Sequence, residues 1–258
     1  MRRLGHKIKP GVDLSNSNLA GANLVRAKLR QANLAGADLR KSNLSQADLT
    51  GAKLSGAELF EANLTGARLT NADLTGTDLR GVEASRATFQ WANLAGANLA
   101  GANLSSASFF EAGLTRARLR NASLLGADLQ STDCTQVDLS GANLWHANLL
   151  WANLSGANLR LAQLAFANLQ ATFLVEANLS EASLTHSHMP GAVLLGADLS
   201  NADLSGANLE GARLTLDRLT DDEVQYFYRF IKDAEWRDAV LNNTCLSDAT
   251  MPDGSKYR

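Results

Sequence analysis

The sequence predicts an all-β solenoid in which the chain winds into a four-sided β-helix. Three observations predict this fold class: Leu recurs at every fifth position, Ala recurs two residues before each Leu, and Gly or a polar residue ends each unit. No insertion or deletion breaks this phase from residue 12 to about residue 216. A five-residue period fits neither the 3.6-residue helix nor the alternation of a long strand, so the chain must turn after every short extended piece.

The Leu and Ala positions predict the core. The central position occurs 41 times between residues 14 and 214, and it is Leu in 36 of them. The exceptions are Ala84, Phe89, Phe109, Cys134 and Met189. Residues two apart share one face of a short strand, so Leu and the preceding Ala should point inward together. Cys134 and Met189 are ordinary apolar substitutes, whereas Ala84 should leave a small void.

The last position of each unit predicts the turns. Gly occupies it in 16 of 41 units, as in Ala-Asn-Leu-Ser-Gly at residues 152–156. There Gly is the third residue of a Leu-Ser-Gly-Ala turn, where a type II turn requires a positive φ. We therefore expect type II turns to concentrate at the glycines. Four units close a coil of twenty residues, and coils stacked at about 4.8 Å give about ten to eleven coils in total.

The repeated A(D/N)LXX units, as at residues 62–66 and 152–156, resemble those of the pentapeptide-repeat family. The resemblance covers about four-fifths of the chain. It implies a right-handed quadrilateral β-helix, with Leu inside and Ala packed in the corners. The long Leu-rich array and the Met-Pro-Asp-Gly-Ser ending are similar to those of cyanobacterial members.

The two ends predict separate elements. Residues 1–10 form an N-terminal cap segment, and residues 11–219 form the β-helix. Thr220 and Glu223 make a capping box, which predicts an inserted or capping helix over residues 220–233. Val224, Phe227 and Ile231 form one stripe of this helix and should pack on the chain.

The remaining helix residues and the C-terminus suggest further contacts. Tyr226 and Phe230 lie on another side of the predicted helix and are left for a partner, so we predict a homodimer through the C-terminal end. The Ala and Leu pattern resumes over residues 234–258, which predicts a final coil and a tail; a longer helix through Trp236 followed by a loose tail is the alternative. The tail from Lys256 onward is expected to be disordered.

Outward apolar residues mark the candidate interaction surface, because contiguous exposed apolar patches usually indicate contacts. They form two groups. The first contains Phe173 and Val193 in one outward column and Val175 and Leu195 in the next, and the second contains Trp145, Trp151 and Phe166, with Leu150 and Leu161 nearby and Trp91 and Phe110 further toward the N-terminus. Three interpretations stay open: contact with another molecule, docking of the chain's own C-terminal helix, or scattered surface residues without a role.

Other functional classes have little support in the sequence. The formal net charge is −2, too close to neutral to indicate a nucleic-acid or membrane partner. No apolar run approaches the roughly 20 residues that span a bilayer, and two cysteines cannot build a disulfide framework. His146 and His186 share a column two coils apart with Phe166 between them, which is too far for one metal ion. We expect no catalytic residue, no metal and no cofactor, and a cytoplasmic protein.

The resulting functional prediction is a non-catalytic scaffold or regulator that binds an unidentified protein partner. Because some members of the family that the chain resembles protect DNA gyrase by imitating duplex DNA, DNA mimicry is an alternative. A mimic needs dense acidic columns, since a duplex carries one charge per about 1.7 Å of axis. Here Arg40 and Arg80 lie close to Asp38 and Asp78, which predicts weak ion pairs on a solvated face. Regulation of differentiation or transport, as in cyanobacterial relatives, is a third interpretation.

Overall fold

The computed structural model describes residues 9–215 and 238–257. Within these two ranges the chain forms no helix, and its regular backbone pairing consists of isolated single-residue bridges. Parallel bridges form at every fifth residue and connect it to the residue twenty positions later, from Asp13↔Asn33 to Val193↔Arg213. This spacing is the twenty-residue coil that the sequence period predicts.

The bridges fall into four columns, which define the four faces of the solenoid. Face 1 runs from Asp13 to Arg213, face 2 from Asn18 to Val240, face 3 from Asn23 to Cys245, and face 4 from Lys28 to Thr250. The turn between two faces is called a corner, so corner 3–4 connects face 3 to face 4. Side chains twenty residues apart at one corner therefore lie above one another.

One hydrogen-bond pattern repeats on every face. The N–H of the bridge residue donates to the preceding coil, as from Asn33 to the carbonyl of Val12 at 2.9 Å. Its carbonyl accepts from the central Leu of that coil, as from Leu14 at 2.7 Å. Every inner coil is thus held by both neighbours, so the backbone polar groups of each bridge are satisfied without a long strand.

The core consists of the central and small side chains, as predicted. From Leu24 to Leu209 the central residues are fully buried, and Leu104 lies in the inner column of face 3. Ala84 shares its coil with the larger Phe89, whose ring stacks on Phe109 with centroids 4.7 Å apart and planes 3° from parallel.

The turns differ from the prediction in one respect. The position that ends each unit, together with Gly11 before the first unit, has a positive φ at all 41 described sites from residue 11 to residue 211, whether the residue is Gly or not. Seventeen of these residues are Gly and 24 are not, and none of the 24 is Val, Ile, Thr or Pro. The expectation that the turns concentrate at Gly is therefore wrong. Closing each corner requires the left-handed conformation, and the sequence accommodates it by excluding the β-branched residues that tolerate it least.

The C-terminal described segment adds one more set of bridges. Val240, Cys245 and Thr250 pair with Asp198, Asp203 and Asn208, and the N–H of Ala239 donates to the carbonyl of Leu214 at 2.8 Å. The solenoid ladder therefore continues from Leu214 to Ala239 across the intervening residues. The helix predicted over residues 220–233 lies outside the described residues, as do residues 1–8 of the predicted N-terminal cap.

The C-terminal tail is ordered against the last coil, so the expectation of disorder at Lys256 and Tyr257 is wrong. Lys256 forms an antiparallel bridge with Thr250, and the N–H of Tyr257 donates to the carbonyl of Ala249 at 2.9 Å. The ammonium of Lys256 also donates to the carbonyl of Asp248 at 3.0 Å. The tail satisfies backbone groups that the edge of face 4 would otherwise leave without a partner.

Candidate interaction surface

Corner 3–4 carries a continuous group of exposed rings, which we call the aromatic ladder and define as Trp145, His146, Phe166 and His186. The ring of Phe166 stacks between the two imidazoles, with centroids 5.2 Å from His146 and 5.0 Å from His186. Trp145 meets Phe166 edge to face at 6.0 Å and lies 4.7 Å from His146. The ladder thus spans three successive coils.

The repeat itself builds this arrangement. His146, Phe166 and His186 each occupy the third residue of a turn, with φ between 56° and 60°, and they lie twenty residues apart. Because the backbone has the same conformation in each coil, the three rings point in one direction. They therefore stack with centroid separations close to the spacing between coils. Trp145 occupies the second residue of its turn, which places it beside the stack.

The ladder is unusually apolar for this solenoid. Trp145 is 44% exposed and Phe166 is 45% exposed, and Leu125 extends the apolar surface by one coil. A Cβ at Gly206, the next position in the column, would collide with the Nδ1 of His186. Gly206 therefore lets the imidazole of His186 lie over the following coil and ends the ladder.

The other predicted apolar residues of this group lie at different corners. Trp151 is exposed at the corner between faces 4 and 1, and Leu161 is exposed at corner 2–3. Trp91 and Phe110 pack edge to face at 5.9 Å further toward the N-terminus, and the indole N–H of Trp91 donates to Glu111 at 2.9 Å. The structure therefore brings Trp145 and Phe166 together, and the described ring contacts do not include Trp151.

The first predicted group does not form an exposed surface. Val175, Val193 and Leu195 are buried and Phe173 is half-buried, although all four occupy outward positions of face 1 or its corner. The exposed fractions of these side chains are those of the single chain, so atoms of the same chain cover the four side chains. The prediction of a free interaction surface at these residues is wrong. The predicted contact residues Tyr226 and Phe230 lie outside the described residues.

Two acidic side chains on face 2 are held by neighbouring arginines. The guanidinium of Arg40 donates to both carboxylate oxygens of Asp38, at 2.9 and 2.6 Å, and these hydrogen bonds lower the pKa of Asp38 to about 2. Arg80 holds Asp78 in the same way at 2.8 and 2.7 Å, which lowers the pKa of that carboxyl group. These pairs are exposed, so they contribute little to stability, but they neutralise these two carboxylates.

The chemistry available elsewhere on the described surface is limited. Within residues 9–215 and 238–257, no group of three or more His, Cys, Asp or Glu side chains could hold a metal ion. Burial raises the pKa of the Cys134 thiol to about 12, whereas hydrogen bonds from Ser205 and Ser247 lower the pKa of the exposed Cys245. No helix among the described residues is both long enough and apolar enough to traverse a bilayer.

Part of this site could be predicted from the sequence. The column shared by His146, Phe166 and His186 follows from their twenty-residue spacing, and the structure confirms it. The sequence also groups Trp145 with Phe166, but the twenty-residue rule does not predict their contact, because Trp145 occupies a different turn position. Comparing the second turn position of one coil with the third position of the next would have found it.

Comparisons with known proteins agree on the repeat. The family model for pentapeptide repeats matches in eight copies between residues 11 and 215. The crystal structure of HetL, a pentapeptide repeat protein involved in heterocyst differentiation regulation from the cyanobacterium Nostoc sp. strain PCC 7120, is similar over 96% of this chain and 92% of HetL, with 30% identity and a TM-score of 0.71.

Two further solved structures are less similar. A trypsin-treated form of QnrB1, a plasmid-mediated fluoroquinolone resistance protein, is 19% identical over 67% of this chain and 96% of its own, with a TM-score of 0.46. Rfr23 from the cyanobacterium Cyanothece 51142 is 34% identical over 41% of this chain and 62% of its own, with a TM-score of 0.25. Among curated protein sequences there is no significant match.

Proposed function

The chain belongs to the pentapeptide-repeat family, and from this premise we propose that it is a non-catalytic scaffold or regulator that binds a protein partner through the aromatic ladder. The observation that carries the proposal is the exposed contact of Trp145 with Phe166 in the middle of a polar solenoid. Aromatic residues are enriched at protein interfaces because they bury a large area with little loss of side-chain freedom.

The ladder has the properties of a contact site. Its rings are fixed by stacking over three coils, so a partner would meet a surface that is already ordered. Preorganised side chains lose less conformational entropy on binding than mobile ones do. The bridge residues beside the ladder, Asn148 and Gln163, carry no charge, which suits the polar rim of an interface.

The similarity to HetL supports a regulatory role as the finer part of this proposal. HetL is involved in the regulation of heterocyst differentiation, and the similarity extends over nearly the whole of both chains. We therefore place this chain among regulators that act by binding other proteins. DNA mimicry is less compatible with the structure, because Arg40 and Arg80 neutralise Asp38 and Asp78, two of the carboxylates on face 2 that a mimic would present.

The architecture is part of the same proposal. We propose ten to eleven coils and a helix over residues 220–233 inserted before the last one. The homodimer predicted through the C-terminal end stays a prediction.

Affinity purification from the cell of origin, after crosslinking in the cell, tests the proposed function. The test variant replaces Trp145 and Phe166 with Ser. Ser105 and Ser106 already occupy the same corner two coils earlier, so this change should leave the fold intact. We expect at least one protein that copurifies with the wild type to be lost with the double variant.

The matched control is Trp91→Ser, because Trp91 is 48% exposed, close to the value for Trp145, but lies at another corner. This variant should retain the partner. The proposal is wrong if every copurifying protein is recovered equally with the double variant and the control, provided that both melt at the wild-type temperature.

A further inference from the structure

Among the described residues, the N-terminal edge of the solenoid has backbone groups without backbone partners, and those of two adjacent faces, 2 and 3, match groups at the other end. In inner coils the bridge N–H always donates to the previous coil, as from Asp38 to Ser17 at 3.0 Å and from Asn43 to Ala22 at 2.8 Å. Among the described residues, Asn18 and Asn23 make neither this bond nor the one that their carbonyls would accept. Each of these two faces therefore offers one donor and one acceptor.

The C-terminal edge presents the complementary groups on the same two faces. The carbonyls of Ala239 and Thr244 accept no backbone hydrogen bond among the described residues, and the N–H groups of Leu241 and Leu246 donate none. In inner coils these are the groups that pair with the bridge residue of the following coil. At this edge, faces 2 and 3 therefore each leave one carbonyl and one N–H with which the first coil of another chain could pair.

We propose that a second copy of this chain docks head to tail, with its first coil on the last coil of the first copy. Asn18 would pair with Ala239 and Leu241 on face 2, and Asn23 would pair with Thr244 and Leu246 on face 3. All four bonds keep the parallel pattern and the register of the inner coils, so no new backbone geometry is needed.

The open core layers support the same contact. Leu14 and Leu19 are only half-buried, although every later central residue up to Leu209 is buried. At the other end Leu241 is 39% exposed and Leu246 is half-buried. Stacking the two ends would bury Leu19 against Leu241 on face 2, as the inner coils already do. On face 3 Leu246 would lie over Leu24, which is already buried in the single chain.

Charge also favours the head-to-tail orientation. Residues 11–50 carry five basic and three acidic side chains, a net charge of +2. Residues 191–215 and 238–257 carry two basic and six acidic side chains, a net charge of −4. Two coils span about 10 Å, so these charges lie within about one Debye length of the contact at physiological salt. Two C-terminal ends would instead repel each other.

The C-terminal tail limits this association. The N–H of Tyr257 occupies the carbonyl of Ala249, and the N–H of Met251 donates to Ser255 at 2.7 Å, so the face 4 groups that a docking coil would use are already paired. A head-to-tail contact leaves one edge open at each end and builds filaments unless something stops it. The tail is such a partial stop.

A disulfide test measures the orientation directly. In the proposed stack Asn23 lies over Cys245 on face 3, at the spacing of neighbouring strands, which is within the Cα separation of a disulfide. We expect Asn23→Cys to form a ladder of dimers, trimers and larger species on non-reducing gels after mild oxidation. The matched control, Ser123→Cys, sits in the middle of face 3 with both neighbours paired.

The outcomes of this test are distinct. The wild type should form dimers at most, through Cys245 alone, because Cys134 is buried. The control has a second outward thiol but no partner thiol held beside it, so it should form far fewer multimers than Asn23→Cys. The proposal is overturned if Asn23→Cys forms no more multimers than Ser123→Cys. It is equally overturned if the wild type forms dimers as efficiently, since the C-terminal end then pairs with itself.

Sedimentation of the full chain provides an independent measurement. The average mass should rise with concentration and fall when NaCl is raised from about 50 mM to about 500 mM, because salt screens the complementary ends. Leu241→Lys should weaken association at least about tenfold, since it places a charge in the contact. Leu125→Lys, a change at an equally exposed Leu on the side of the solenoid, should not.

Truncation after Asp253 should strengthen association, because it frees the carbonyl of Ala249 and the N–H of Met251. A single species of monomer mass at every concentration, for both the wild type and the truncated chain, would refute the proposal. So would equal weakening by Leu241→Lys and Leu125→Lys.

Discussion

Gly can be favoured at a turn because it adopts a positive φ without strain, or because it has no Cβ that would collide with a neighbouring side chain. Replacing Gly by Ala at two turn positions separates these two reasons. Gly96 and Gly206 have nearly the same φ, +67° and +69°. A Cβ at Gly96 would meet nothing within 4 Å, whereas a Cβ at Gly206 would collide with the imidazole of His186. Gly96→Ala therefore changes the backbone preference alone, and Gly206→Ala changes both the backbone preference and the aromatic ladder.

The expected magnitudes follow from these geometries. A left-handed non-Gly residue costs about 1–2 kcal/mol, and the reduced freedom of the unfolded chain returns about 0.4–1 kcal/mol. We expect Gly96→Ala to lower the free energy of unfolding by about 1 kcal/mol. At Gly206 the imidazole of His186 must also leave Phe166, and loss of a ring stack adds about 0.5–1.5 kcal/mol. Gly206→Ala should therefore cost about 2 kcal/mol.

Urea unfolding followed by circular dichroism measures both changes. Repeating Gly206→Ala in a His186→Ala background should reduce its cost to that of Gly96→Ala, because the collision is gone. Equal costs for Gly96→Ala and Gly206→Ala in the wild-type background would refute the role of Gly206 in the ladder. A neutral Gly96→Ala would refute the role of Gly in the turn.

Three further predictions concern the core and the titrating groups. Leu104→Asp buries a carboxylate without a partner and should abolish folding; a soluble variant with the wild-type melting curve would contradict the assigned core. Ellman's reagent at pH 8 should modify Cys245 but not Cys134 in the native chain, and both in denaturant; reaction of both in the native chain would contradict the burial. By NMR, Arg40→Ala should raise the pKa of Asp38 from about 2 toward 3.8. Since the folded pKa is lowered, the contribution of Asp38 to stability is present above pH 3.8 and is lost as the pH falls toward 2; an unchanged pKa of Asp38 would contradict the pairing.

The core could be predicted from the sequence because it depends on a local period. The choice of Leu or Ala at each position fixes which side chains point inward, and the fixed coil length then places residues twenty apart above one another. The stack of His146, Phe166 and His186 follows from the same rule. No knowledge of distant contacts was needed for these features.

Features that depend on distant contacts or on backbone closure could not be predicted. Val193 and Leu195 are outward by the repeat pattern, yet other parts of the chain bury them. Lys256 lies beyond the repeat, so its bridge to Thr250 has no periodic signal. The frequency of Gly suggested that only some corners need a positive φ, whereas the four-sided path imposes it on every corner.

Site-specific photocrosslinking tests most directly the central claim that the aromatic ladder binds a protein partner. A photoreactive amino acid at Ala165 would sit within the ladder at corner 3–4, and the same residue at Ala95 would occupy an equivalent turn position at corner 1–2. We predict that irradiation in the cell of origin yields a crosslinked partner from position 165 and none from position 95. Equal crosslinking from both positions, or none from position 165, would contradict the account.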